Sequence, residues 1–208
     1  GLTDQSRSTS AFSGDLGVIV RPARDLALTA NVGRAWRSPT LFELFANGPR
    51  LGEARYEIGD ATLDPEKSLN LDGSIRWGNQ RVGAEVAGFH NRIDDFIYIA
   101  PTGEQQGTLD VYRYEHALAT LYGGEVSADV DPTRMLTLRA RYDLVRGTNE
   151  DTDEPLPLIP PPRTTLEAEV HSVALGWADQ AHAGLDVEIN QKQTHLGPFD
   201  TATDGYTI

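Results

Sequence analysis

Apolar and polar residues alternate with period two along most of the chain, the signature of β-strands that bury one face and wet the other. "LALTANVGRAW" sets Leu26, Leu28, Ala30, Val32 and Trp36 on one face and Thr29, Asn31 and Gly33 on the other. "SLNLDGSIRW" sets Leu69, Leu71, Ile75 and Trp77 opposite Asn70, Asp72, Ser74 and Arg76. "GGEVSADV", "MLTLRARYDL", "TTLEAEVH" and "GLDVEIN" repeat the pattern. The alternation blurs at Gly88-Phe89, where a bulge would shift the face.

The connections carry a second pattern. "PARD" (22–25), "GNQR" (78–81), "DPTR" (131–134) and "ADQAH" (178–182) are short and turn-like. Longer connections span about 37–67, 100–110, 148–161 and 194–205. Short and long therefore alternate around about eight long strands. A transmembrane β-barrel keeps that rule, because every strand crosses one slab, with short periplasmic turns and long external loops. Trp77 and Trp177 lie beside short turns, and Trp36, Tyr98, Tyr112 and Tyr114 lie toward long-loop ends, where two interfacial aromatic girdles belong.

The polar face is too charged for a dry core. Glu167, Glu169, Asp186, Glu188, Asp72 and Arg76 would each need a buried partner, so that face meets water. Its apolar counterpart must meet lipid or a second layer. Arg34 shares the apolar parity but lies next to Trp36, from where it can snorkel to an interface. The longest connection holds the apolar run "LFELF", which reads as a short helix with Ser38 as cap, Pro39 in the first turn and Gly48-Pro49 as the stop. Leu41, Phe42, Leu44 and Phe45 would pin it to the strands below.

Charge and composition narrow the function. The 208 residues carry 18 Lys plus Arg against 31 Asp plus Glu, a net charge of −13, which argues against nucleic acid as a partner. With no cysteine there is no disulfide or thiolate metal site. No apolar run reaches the ~20 residues of a membrane helix. No signal peptide opens the chain, the alternation is under way at the start, and "DGYTI" opens a further strand, so the chain reads as a piece of a longer protein. The nucleophile-elbow, P-loop, dinucleotide and H-E-x-x-H motifs are missing, and no cofactor is called for. "NEDTDE" (149–154) lacks the glycine and distal glutamate of a calcium loop and reads as solvated. The five histidines, His90, His116, His171, His182 and His195, are scattered, without a close pair, and read as lumen or loop residues.

"GRAWRSPTLFELFANGP" (33–49), "YEIGDATLDPEKSLNLD" (56–72), "FHNRIDDFIYIAPTG" (89–103), "LYGGEVSADV" (121–130) and "LPLIPPPR" (156–163) together resemble the C-terminal barrel half of TonB-dependent outer-membrane receptors. The resemblance spans nearly the whole chain. It implies an all-β, antiparallel up-and-down meander, residues 1–208 forming a single segment of a barrel of about 22 strands, with the N-terminal plug and the last strands absent. It also implies a Gram-negative outer-membrane location, lipid around the barrel, an extracellular solute or metal chelate as cargo, and energy from TonB through the missing N-terminal region. "ANGP…YEIGD", "IYIAPTG…VYRYEHALATLYGGE" and "TDGYT" are similar to the zinc-uptake subgroup, where a histidine commonly follows "NGP"; here Arg50 stands there.

Substrate contacts are expected in the 37–67 loop, at Arg50, Tyr56, Glu57 and Asp60; the metal ligands stay unassigned. Two other classes compete with import: a soluble all-β ligand-binding or adhesion module, and an outer-membrane hydrolase, for which no Ser–His–acid spacing is present. Eight strands cut from a larger barrel have open edges, so the isolated piece is expected either to self-associate as a curved sheet or to close into a small barrel.

Overall fold

The computed structural model describes residues 10–176 and 178–208. Eight long strands make one meander: β1 (Gly14–Ala23), β2 (Leu26–Arg37), β5 (Glu66–Gly78), β6 (Val82–Gln106), β7 (Leu109–Thr133), β8 (Leu136–Asn149), β10 (Arg163–Leu175) and β11 (Ala178–Asn190). Each pairs antiparallel with the next, and a short β12 (Tyr206–Thr207) adds to β11. Among the described residues the ladder does not return to β1, so the sheet is open rather than a small closed barrel.

The exposure of the two faces is the reverse of a soluble sandwich. Leu28, Val32, Leu69, Leu71, Ile75, Val86, Val126, Leu166 and Leu185 are all exposed on the apolar face. On the polar face, charges pair across neighbouring strands: Arg76 with Glu85 at 2.6 Å, Arg139 with Glu167 at 2.6 Å, Arg163 with Asp143 at 3.1 Å. Thr29 and Ser74 share a 2.8 Å hydrogen bond in the same layer. These pairs sit directly opposite in register, so the charges complete one another.

Several expectations are corrected. Residues 100–110 are not a loop: β6 and β7 run on as a hairpin whose tip is Gly107-Thr108, with Gly107 at φ +68°. At Gly88-Phe89 the register is unbroken, and the face does not shift; Phe89 simply lies on the polar side, against Gly123 of β7. The bulge falls instead between Ile93 and Phe96, where Asp95 takes a positive φ of 58° that an aspartate tolerates better than most residues. The short turn expected at 178–182 is not there, because Ala178 already opens β11; Trp177 lies outside the described residues.

The 37–67 connection is a small folded unit. α1 (Leu41–Phe45) is followed by β3 (Asn47–Arg50), a 3-10 turn η1 (Leu51–Glu53) and β4 (Arg55–Ile58). β9 (Glu154–Pro155) lies in a separate loop, against β8. The cap of α1 is Thr40, not Ser38: its side chain accepts from the Glu43 N–H at 3.3 Å while the Glu43 carboxylate accepts from the Thr40 N–H at 2.6 Å. The helix ends at Ala46, and Gly48-Pro49 belong to β3. Only Leu44 pins it; Leu41, Phe42 and Phe45 are exposed.

Candidate functional site

β4 pairs antiparallel with β3 and parallel with the free upper half of β7, Tyr56 opposite Val111 and Ile58 opposite Arg113. The connection therefore crosses the β6–β7 hairpin and completes its open edge. Leu44, Leu63 and Ile97 form the buried floor of this unit, with Tyr114 packed against it. Its neck is tied by Arg37, whose guanidinium meets Glu66 at 2.7 Å and Glu43 at 2.9 Å; Glu66 in turn accepts the Ile97 N–H at 2.8 Å.

Glu57 is 2% exposed. Its carboxylate accepts from Arg55 at 2.8 Å and from the Tyr114 hydroxyl at 3.2 Å, and Arg50 lies 3.6 Å away. Arg50 and Arg55 also meet Glu53 at 3.1 and 2.6 Å. Two guanidiniums and two carboxylates thus compensate each other, which is what a buried carboxylate requires. Burial, and then the Glu57 charge beside it, pushes the Tyr114 hydroxyl up from its ordinary pKa, so it stays protonated and donating. The Arg55 guanidinium lies 5.3 Å from the Tyr112 ring centre and that of Arg50 6.0 Å from Phe42.

A concavity of about 960 Å³ opens between α1, β3 and Tyr114. Phe42, Phe45, Arg50 and Leu51 line it and are exposed, with Glu57 behind them. Its walls mix aromatic and aliphatic groups with Thr40 and Asn47; its most exposed charge is the half-exposed guanidinium of Arg50, while the Glu43 and Glu57 carboxylates are paired with Arg37 and with Arg50 and Arg55. Such a wall can stack a planar group and hold an anionic oxygen.

Of the four residues expected to bind solute, Arg50 and Glu57 come together here. Tyr56 donates its hydroxyl to Asn47 at 2.8 Å, and Asp60 accepts from the Thr62 N–H at 2.7 Å and hydroxyl at 2.6 Å. The Thr62 hydroxyl, and then its N–H, hold the Asp60 carboxyl below its usual range. Phe42, Phe45, Leu51 and Tyr114 were missed. The sequence carries no signal for the outward phenylalanines: Leu41, Leu44 and Phe45 share one helical face, and which of them is buried depends on the partner surface at Ile97 and Tyr114.

Among the described residues no three His, Cys, Asp or Glu side chains cluster to hold a metal. The histidines are less scattered than their spacing implied: His171 and His182 stack with ring centres 6.5 Å apart. His90 pairs with Leu71 and Tyr122, so it lies on the apolar face, not the lumen side. Asp151 of the acidic run accepts the Leu118 N–H at 3.0 Å, so this run is partly structural.

The sequence profile of the family described as TonB dependent receptor-like, beta-barrel matches residues 1–208. The chain belongs to the TonB-dependent receptor β-barrels. Solved barrels share its fold. The copper transporter OprC superposes with a TM-score of 0.77 at 21% identity, over 94% of this chain and 30% of that one. The FrpB iron transporter from Neisseria meningitidis gives 0.66 at 18%, over 96% and 31%. The ferric enterobactin receptor PfeA from Pseudomonas aeruginosa gives 0.67 at 18%, over 94% and 31%. The chain spans about a third of the length of these receptors. The family is one of receptors, not enzymes, and the hydrolase reading falls.

Proposed function

We propose that this chain is an arc of an outer-membrane receptor barrel that imports a scarce solute with energy from TonB, residues 1–208 forming one segment. The observation that carries it is the reversed exposure of the sheet, apolar side chains out and paired charges on the other side. A soluble ligand-binding module would leave that apolar face in water. Trp36 and Trp77 lie on the same face at opposite ends of the β2–β5 pair. Ten residues of β2 separate their rows, and at ~3.3 Å per residue and ~40° of tilt that is about 25 Å, the height of an outer-membrane apolar band. Tyr98 and Tyr114 are not in such a girdle; they bond to Glu115 and Glu57 in the unit above it.

The concavity beside Arg50 is the proposed solute surface. Arg50 contacts an anionic organic chelate there, while Tyr56, Glu57 and Asp60 hold the loop in shape. A bare divalent cation such as zinc, the cargo of the subgroup the sequence resembles, suits this wall less, because it offers no imidazole or thiolate. Uptake of labelled zinc and of labelled ferric chelates by cells carrying the intact receptor, with and without TonB, tests both levels. TonB-dependent chelate uptake that falls about tenfold in Arg50→Ala supports the reading. Zinc uptake unaffected by that change overturns the cargo, and uptake independent of TonB overturns the class.

A further inference from the structure

The short-turn end of the polar face holds a cluster that the solute surface does not use. Along β10 the polar parity of Glu167 and Glu169 continues to His171, and along β11 that of Asp186 and Gly184 continues to His182. The ladder pairs Val170 with Ala183 and then Val173 with Ala181, so His171 and Ser172 together stand opposite His182. This is the two-against-one count of a β-bulge. It keeps both histidines on one face of neighbouring strands, with ring centres 6.5 Å apart and planes 18° from parallel. His171 is half-buried and His182 is exposed.

A relay behind His171 fixes its tautomer. The buried Thr137 hydroxyl donates to the Asp131 carboxylate at 2.7 Å. A hydroxyl has one proton to give, so toward His171 Nε2, 3.3 Å away, the same oxygen can only accept. Nε2 therefore carries the ring proton, and Nδ1 of the neutral ring keeps a bare lone pair. A carboxylate that orients an imidazole from behind is the support that metal-ligating histidines receive; here a hydroxyl passes it on. A tetrahedral ion bound at ~2.0–2.1 Å holds two imidazole nitrogens about 3.3 Å apart. Rotation of the exposed His182 side chain brings its ring that close to His171. Imidazole favours borderline ions such as Zn²⁺, Cu²⁺ and Ni²⁺ over Mg²⁺ and Ca²⁺. Among the described residues no third His, Cys, Asp or Glu completes the shell, which leaves positions for water or for a donor carried with the ion.

We propose that His171 and His182 form a two-imidazole site for a borderline divalent metal ion, with Thr137 and Asp131 as its positioning residues. The site lies at the other end of the strands from the Arg50 concavity. On the barrel reading it faces the lumen beside the periplasmic turns, but binding of the ion depends on neither that reading nor the cargo.

The test uses the intact receptor in mild detergent, with Zn²⁺ as the probe. Modification of each histidine by diethyl pyrocarbonate is followed by peptide mass spectrometry, without metal, with Zn²⁺ and with Mg²⁺. With zinc at about ten times its dissociation constant, His171 and His182 should react about tenfold more slowly, while His90 and His195 keep their rates and Mg²⁺ protects nothing. Unchanged rates at His171 and His182 overturn the site without needing any variant to fold, and so does equal protection by Mg²⁺. In titrations against a competing chelator, His171→Gln and His182→Gln should each remove one bound ion. Thr137→Val should keep that ion and weaken its affinity about tenfold. A stoichiometry unchanged in both glutamine variants sinks the proposal, and full affinity in Thr137→Val overturns the relay. Uptake of ferric chelates separates this site from the function proposed above. Histidines left unprotected in a receptor with TonB-dependent uptake sink only the site, and protected histidines in a receptor whose uptake ignores TonB sink only that function.

Discussion

Glu57 shows how a residue that reads as a solute contact serves a different purpose. Alternation within "RYEI" leaves its neighbours half-buried, but Glu57 itself sits under Arg50, Arg55 and Tyr114 and holds them together. Glu57→Ala removes the shared acceptor and leaves two guanidiniums facing each other. The expected cost is about 1–3 kcal/mol, confined to the loop unit. Hydrogen exchange of the intact receptor should show lost protection at β3 and β4 with the long strands unchanged; uniform protection would mean that Glu57 is not the tie. Arg50 and Glu57 were legible in the sequence as charged residues of a long loop. Their partnership was not, because Tyr114 lies 57 residues from Glu57 along the chain.

Within elements, the β6 bulge decides what the loop can pack on. Before it, Arg92 stands opposite Thr120 on the apolar side; after it, Ile97 stands opposite His116, which has the same parity along β7 as Thr120. The extra residue brings Ile97 to the face where Leu44 and Leu63 wait. Inserting one alanine between Phe96 and Ile97 should move Ile97 from opposite His116 to opposite Glu115, turning it to the other face and freeing the 37–67 unit, read as protease cleavage within it while the barrel stays resistant to heated detergent. Resistance of that loop to protease would refute the account. The helix cap adds a pH dependence. Burial pushes the Glu43 carboxyl up, but Arg37 and the Thr40 N–H outweigh it and hold it below its ordinary value of 4.5. A carboxyl with a lowered folded value contributes stability above its unfolded value and loses it as pH falls through the folded one. Asp60 behaves alike, from an ordinary value of 3.8. Cleavage of the loop by an acid-active protease should therefore stay flat from neutral pH down to about 5 and rise only below about 4. A rise already at pH 6 would point to another group.

At the scale of the molecule, the two faces make opposite demands. Ala30 lies midway up the apolar face and Asn31 beside it on the polar one, bonded to Asp72 at 3.3 Å. Ala30→Arg should cost about 2–4 kcal/mol, against nearly nothing for Asn31→Arg, if lipid covers the first. Urea unfolding of the intact receptor in lipid vesicles measures both, and equal costs would mean that lipid does not cover this face. The open edges at β1 and β11 are where the neighbouring strands of a larger barrel would pair, and where an isolated segment would associate with itself.

Period-two alternation and short turns determined the eight strands, their order and the division into a wet and an apolar face, because hairpin pairing is local and one slipped residue inverts every side chain. What only the tertiary structure decided is the region above the band. There β6 and β7 run on through a stretch that reads as loop, because the Gln105–Asp110 end of the hairpin continues to pair. Thr40 rather than Ser38 caps α1, because the neck set by Arg37 and Glu66 fixes where the helix begins. Leu44 packs inward and Phe42 outward, because the partner surface, Ile97 and Tyr114, arrives from half a hundred residues downstream. Contacts of that separation leave no period in the sequence, and so none could be read from it.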